Sequence, residues 1–165
     1  MKQVDVVIVG AGFSGLYLMH RCLKANRTAV VLEQGSDVGG TWYWNRYPGA
    51  RCDAESLAYS FSFSSELEQE WTWSERYAPQ PEILDYARHV ADRFGIRPHI
   101  RFNTRVTGAE WNGDDSRWIV TTEQGESYSG RHCVMATGCL SVPQLPDIEG
   151  LDSFEGARYQ ASRWP

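Results

Sequence analysis

A glycine-rich loop near the N-terminus constrains this chain more than any other feature. Gly10-Ala11-Gly12-Phe13-Ser14-Gly15 fits G-x-G-x-x-G. It follows Val4-Asp5-Val6-Val7-Ile8-Val9, a short β-branched run that reads as a buried parallel strand. It opens a stretch from Ser14 to about Ala25 in which Leu16, Met19 and Leu23 recur at helical spacing, with Asn26 as the stop signal. Thr28 to Leu32 reads as a second strand, ended by the acidic Glu33, 18 residues beyond Gly15 (33 − 15). Strand, glycine turn, helix, strand and acid together make the dinucleotide-binding pattern. A β-α-β connection of this kind is right-handed and joins parallel strands. The expected fold class is therefore α/β, a Rossmann-like domain around a parallel central sheet.

Each position in the loop has a physical task. Gly10 permits the tight turn, Gly12 lets a pyrophosphate approach the backbone, and Gly15 lets the helix pack close to the strand. The helix N-terminus offers free N–H groups and partial positive charge to phosphates. Phe13 and Ser14 inside the loop, and Gln34 beside Glu33, complete the expected nucleotide contacts. A carboxylate at Glu33 accepts from ribose hydroxyls and repels a 2′-phosphate, so FAD or NAD is expected there rather than NADP. The competing readings are a glycine turn without a ligand and Glu33 as a surface charge.

From Gly35 to Ala78 no clean period emerges, and a long irregular stretch inside a compact domain is usually functional. Pro81 opens the next helix, with Ile83, Leu84, Ala87, Val90, Ala91 and Phe94 as its apolar stripe and Gly95 as its stop. Short strands are predicted over Ile100 to Val106, Ala109 to Trp111 and Trp118 to Thr122, with turn chemistry between them. They read as an antiparallel meander inserted in the α/β core. His132 to Ala136 is a further apolar strand ending at Thr137-Gly138. Pro143, Pro146 and Gly150 then mark a linker, which divides the chain into a domain over 1–142 and a linker over 143–165.

Composition narrows the classes that remain. The net charge is −5, with no basic block or arginine-rich helix, so nucleic acid is not an expected partner. No apolar run is long enough to span a bilayer, and the start does not read as a signal peptide. Cys22, Cys52, Cys133 and Cys139 form no CxxC pair, which points to reduced thiols, no metal and a cytoplasmic location. The 21 aromatic residues (7 Trp, 8 Tyr, 6 Phe) serve either a core or a flat-ligand pocket.

Gly39-Gly40-Thr41-Trp42-Tyr43-Trp44-Asn45-Arg46-Tyr47-Pro48-Gly49-Ala50-Arg51-Cys52-Asp53 is the second informative segment. On its residues alone, Trp42 and Trp44 read as core packing or as flat ligand surface. Asp53 reads as a turn or cap residue or as a functional carboxylate, and Cys52 as a small buried hydrophobe. The segment resembles the signature of the Baeyer–Villiger flavin monooxygenases, [A/G]-G-x-W, four residues, [F/Y]-P-[G/M], three residues, D, at every specified position. Tyr59-Ser60-Phe61-Ser62-Phe63-Ser64, the Trp71 to Tyr77 stretch and Ala136-Thr137-Gly138 extend the resemblance.

That resemblance implies a glutathione-reductase-like FAD-binding domain. It implies that Thr41, Trp42 and Trp44 lie along the flavin, with Gly40 of the Gly-Gly pair permitting close backbone approach to the cofactor, and that Tyr59 and Val106 touch FAD. It puts Ala136, Thr137 and Gly138 beside the adenine-nucleotide half. Asp53 is the implied catalytic residue, near the flavin ring and supporting an arginine that faces the oxygenated flavin. Arg51, Cys52 and Asp53 would also approach the nicotinamide end of NADP. The implied activity is an NADPH- and O2-dependent conversion of a small ketone to an ester or lactone.

A second family signature, F-x-G-x-x-x-H-x-x-x-W-[P/D], is met by Phe154, Gly156, Trp164 and Pro165, with Gln160 at the histidine position. Glutamine keeps hydrogen bonding there but cannot carry positive charge. The second G-x-G-x-x-G unit, which the family uses for NADPH, and the later arginine are not among these residues. The expectation is thus an FAD-binding portion, incomplete as an enzyme alone, with NADPH arriving only through a further domain or a second polypeptide. Three alternatives stand beside it: a standalone FAD or nucleotide module, a partner subunit without cofactor, and a fragment of an N- or S-oxygenating flavoprotein.

Overall fold

The computed structural model describes Met1–Pro165. Strand β1 (Lys2–Val9), helix α1 (Phe13–Lys24) and strand β2 (Ala29–Leu32) form the expected unit, and β1 and β2 run parallel from Val6↔Ala29 to Val9↔Leu32. The helix stops where Asn26 adopts φ 51°, which lets the Arg27 N–H reach back to the Cys22 carbonyl at 2.9 Å. The remaining strands are β3 (Ile100–Arg101), β4 (Val106–Asn112), β5 (Arg117–Thr122) and β6 (Ser127–Met135). The six strands lie in the order β3-β2-β1-β6-β5-β4. β6 runs parallel to β1 from Tyr128 to Met135, yet pairs antiparallel with β5 only from Ser127 to Gly130. One strand thus belongs to both the parallel core and the meander.

Three sequence expectations are corrected. Ile100 to Val106 is not one strand. After Arg101 the chain is pulled onto the loop beyond β2, with Asn103 at φ 53°, its N–H on the Gly35 carbonyl (2.9 Å) and the Thr104 N–H on the Glu33 carbonyl (2.8 Å). The strand expected over Ala109 to Trp111 starts already at Val106. The last strand starts at Ser127 rather than His132, because its polar first half is the part that pairs with β5.

The alternation of side chains along a strand sorts the core. Val6, Ile8 and Val31 face α1 and helix α4 (Gln80–Arg93), meeting Leu16, Met19, Ala87 and Ala91. Val7, Val30 and Leu32 face the other way and meet Val120 and Tyr128 of the meander. Each fully buried side chain of this size contributes about 1.5–3 kcal/mol of transfer free energy. The stretch from Gly35 to Ala78 shows no period because its elements are too short to display one: α2 (Thr41–Trp44), a 3-10 turn at Ser56–Tyr59 and α3 (Ser65–Glu70). It wraps the outer sides of α4, which buries Ile83 and Leu84 against Trp42, Cys52 and Ala78, and Tyr86 and Val90 against Leu67.

Beyond Gly138 the chain holds only loops and a 3-10 turn at Ala161–Arg163. Leu140, Val142, Leu145, Ile148, Phe154 and Tyr159 there are each more than half exposed. The four cysteines are free thiols. No helix is long and apolar enough to cross a membrane.

Candidate cofactor site

A cavity of about 540 Å³ opens over the C-terminal ends of β1, β2 and β6, where the glycine loop, the α2 segment and the Ala136–Gly138 turn converge. That volume suits an organic ligand rather than a few waters, and the ends of parallel strands are where such folds bind ligands.

The loop geometry explains its glycines. Gly10 has φ +103°, and a β-carbon there would lie 2.7 Å from the Ala136 carbonyl oxygen. A β-carbon on Gly15 would fall 2.0 Å from the Gly10 carbonyl oxygen, so α1 can lie this close to the loop only without one. At Gly12 the nearest atom would be the Gly40 α-carbon at 3.5 Å, which leaves that side open to the cavity. The first backbone bond of α1 is the Leu16 N–H to the Gly12 carbonyl (2.9 Å), so the amides ahead of it remain spare. No acidic side chain sits in the first turn, while Arg21 and Lys24 occupy the last. The dipole therefore leaves the cavity end of the helix positive.

Glu33 is 5% exposed, with one carboxylate oxygen on the Ala11 N–H (2.6 Å) and the other on the Gly35 N–H (2.7 Å). A carboxylate has about four acceptor positions, so two remain for hydroxyls of a ribose. The opposite wall is aromatic. Trp42 and Trp44 line it with Tyr59, whose ring meets Trp42 at 5.5 Å and Phe13 at 5.5 Å, both edge to face. Burial pushes the Tyr59 phenol above its ordinary value, and Cys52 and Asp53 push it the same way. The wall therefore presents a neutral phenol. Open glycine backbone and spare amides beside a buried acid, facing a flat apolar wall, fit the pyrophosphate, ribose and flavin ring of FAD.

The structure brings most of the sequence-selected residues together. Gly10, Gly12, Phe13, Ser14, Glu33 and Gln34 line the cavity, as do Gly40, Thr41, Trp42, Trp44 and Tyr59. Val106, Ala136, Thr137 and Gly138 close its far side. Gly15 lies behind the loop, where its role is packing. Arg51, Cys52 and Asp53 do not line the cavity. Arg51 is drawn outward to the Glu75 carboxylate (2.9 Å) and the Tyr77 carbonyl (3.0 Å), Cys52 is buried with Trp42 and Ala78, and Asp53 is exposed. Gln160 donates to the Gln144 carbonyl at 3.4 Å, away from the wall.

Sequence reading missed Thr104, Arg105 and Met135 in the wall. Thr104 and Arg105 reach it through the bend that interrupts the strand expected there. Asp37 was missed as well. It anchors the loop between Glu33 and Gly39, taking Arg88 on one oxygen and Arg97 on the other, both at 2.8 Å.

A parallel sheet with a glycine turn at its C-terminal edge and a buried acid after β2 defines a dinucleotide-binding domain of the flavoprotein type. The chain belongs to the pyridine nucleotide-disulphide oxidoreductase family, whose model matches residues 7–165. It is 46% identical over 98% of its length to a 2-oxo-Δ3-4,5,5-trimethylcyclopentenylacetyl-CoA monooxygenase of Pseudomonas putida, covering 30% of that protein. A Baeyer–Villiger monooxygenase of Pseudooceanicola batsensis is 42% identical, and a phenazine N-monooxygenase of Lysobacter antibioticus 40% identical, each over 98% of this chain and 30% of the relative. Among solved structures, an oxidized steroid monooxygenase bound to NADP superposes with a TM-score of 0.92 at 55% identity, over 99% of this chain and 32% of that one. The resemblance read from Gly39–Asp53 is thereby borne out, and the chain spans about 30% of the length of these relatives.

Proposed function

We propose that this chain is the FAD-binding part of an NADPH- and O2-dependent monooxygenase that converts a ketone to an ester or lactone. The observation that carries the reading is the single cavity in which the open face of Gly12, the buried carboxylate of Glu33 and the Trp42–Trp44–Tyr59 wall meet. When bound, the flavin supplies hydride acceptance from NADPH and oxygen activation, the hard chemistry of the reaction.

The chain's own residues bind and orient. The spare amides at the start of α1, with Gly12 clearing the approach, hold the pyrophosphate. Glu33 takes the adenosine ribose hydroxyls with its two remaining acceptor positions. Trp42, Trp44 and Tyr59 set the plane of the ring and keep water from that side. Val106 and the Ala136–Gly138 backbone flank the adenine-nucleotide half. Asp53, exposed and outside the cavity lining, we assign to holding a cation contributed by the rest of the enzyme. We assign Arg51 and Cys52, with Asp53, to the approach of the nicotinamide end of NADPH. The NADPH site itself and much of the ketone pocket belong to that remaining part, on the same or a second polypeptide, with residues 143–165 as the linker toward it.

A second reading, oxygenation at nitrogen, is favoured by one observation, the phenazine N-monooxygenase among the relatives. The two separate when the full-length enzyme is offered a cyclic ketone and a heteroaromatic amine. Lactone formation supports the first, and N-oxide formation alone supports the second.

The first experiment is the visible spectrum of the purified chain with and without added FAD. A flavin spectrum retained through gel filtration, and lost in Gly12→Ala, supports the cradle. A protein that stays colourless with FAD defeats the cradle reading for this chain and favours a partner subunit without cofactor.

A further inference from the structure

The two tryptophans of the cavity wall ride on α2, a helix of only four residues. One turn is too short to hold itself by its own hydrogen bonds. Its end is held by its own cap residue and by one side chain from outside. The Thr41 carbonyl accepts from the Asn45 backbone and side chain, both at 2.9 Å, while the Trp42 carbonyl accepts from the side-chain amide of Gln80. Gln80 is the first residue of α4 and is 8% exposed, an unusual site for a polar side chain in a helix otherwise buried through apolar residues.

The same residue holds a second segment through its main chain. The Gln80 N–H donates to the Ala50 carbonyl at 2.8 Å. Alongside, the Cys52 N–H donates to the Ala78 carbonyl at 3.1 Å, and Arg51 forms an antiparallel bridge with Pro79. Side chain and main chain of one residue therefore grip the two ends of the Gly39–Asp53 segment. The anchor is firm, because Ile83, Ala87, Val90 and Ala91 bury α4 completely along one side.

We propose that Gln80 is a positioning residue that joins the cavity wall to the Arg51–Asp53 segment. Its amide fixes the Trp42 end and its backbone fixes the Ala50 end, so the two halves of the segment keep one geometry about α4. The wall's orientation toward a ligand, and only that consequence, rests on the cofactor reading above.

The test is amide hydrogen exchange on the chain without FAD. In Gln80→Leu the Trp42 carbonyl loses its donor while the main-chain bonds of Gln80 and Cys52 persist. The Tyr43, Trp44 and Asn45 amides should exchange at least about tenfold faster, with the Gln80 and Cys52 amides and β1 unchanged. Unchanged exchange at 43–45, or an equal rise throughout the chain, would overturn the proposal. Gln80→Glu covers the case in which the leucine variant does not fold. Its carboxylate cannot donate to the Trp42 carbonyl, but its protonated form can. Protection at 43–45, relative to the unsubstituted chain, should return on acidification through the carboxyl titration, and a pH-independent ratio would overturn the proposal. With FAD added, Gln80→Leu should bind about tenfold more weakly than the unsubstituted chain. If the unsubstituted chain itself ignores FAD, the cofactor reading fails while the exchange result still decides the role of Gln80.

Discussion

The G-x-G-x-x-G pattern gives Gly12 and Gly15 different tasks, and their surroundings differ accordingly. A methyl on Gly15 meets a main-chain oxygen at 2.0 Å, and neither partner can move without dismantling the turn. Gly15→Ala is expected to cost about 3 kcal/mol or more, seen as a lower denaturation midpoint whether or not FAD is present. A methyl on Gly12 has its nearest neighbour at 3.5 Å and the helix N-cap has φ −75°, which alanine adopts freely. Gly12→Ala should leave the midpoint of the FAD-free chain within about 0.5 kcal/mol and weaken FAD binding at least about tenfold by occupying the phosphate approach. Equal effects of the two substitutions on stability would refute this division of roles. These positions were legible in the sequence because a fixed backbone geometry dictates the residue type at each. The outward placement of Arg51 was not, since it depends on Glu75 and on the Pro79 bridge, partners more than twenty residues away that no local pattern announces.

Elements long enough to show a period were legible, and those built from long-range polar contacts were not. α1 and α4 emerged within one or two residues of their bounds, whereas α2 and α3 did not, because one or two turns leave no stripe. The loop from Glu33 to Gly40 is held instead by charge. Burial pushes the Asp37 carboxyl up, but Arg97, Arg88 and the Val38 amide outweigh it and hold it below the ordinary aspartate value. A carboxyl whose folded value is depressed contributes stability above its unfolded value and loses it as pH falls through the folded one. The chain should therefore lose stability on acidification below the ordinary aspartate range. Asp37→Asn should cost about 1–2 kcal/mol near neutrality and flatten that acid limb. Denaturant titrations of both proteins at neutral pH and at about pH 3 measure it. Parallel pH profiles would mean that the Arg88 and Arg97 contacts do not stabilise the loop. The same substitution should weaken FAD binding, since the loop carries Glu33 at one end and Gly39-Gly40 at the other.

At the scale of the molecule, the sheet is closed on one side and open on the other. The meander covers the face of β1 and β2 opposite the helices, yet β6 from Arg131 to Met135 pairs only with β1. Val134 on that stretch is 36% exposed, and away from the cavity wall Leu145, Ile148, Phe154 and Tyr159 are each more than half exposed. Exposed apolar side chains and an unpaired strand edge are where further chain normally docks, and the relatives are about three times as long as this chain, which covers 30% of them. Residues beyond Gly138 should accordingly be loosely held in the chain alone and well held in a chain extended to the relatives' length. Trypsin reports on this directly. Arg158, its side chain 49% exposed, and the exposed Arg163 lie in this segment, while Arg117 is bound to the Val4 carbonyl at 2.6 Å and to Ser129 inside the sheet. In the chain alone, cleavage after Arg158 and Arg163 should precede any cut within the sheet. In the extended chain it should slow at least about tenfold, as expected when local opening is coupled to the unfolding of a larger unit. Equal cleavage rates in the two chains would show that this surface stays uncovered, and the open edge of β6 would then need another explanation.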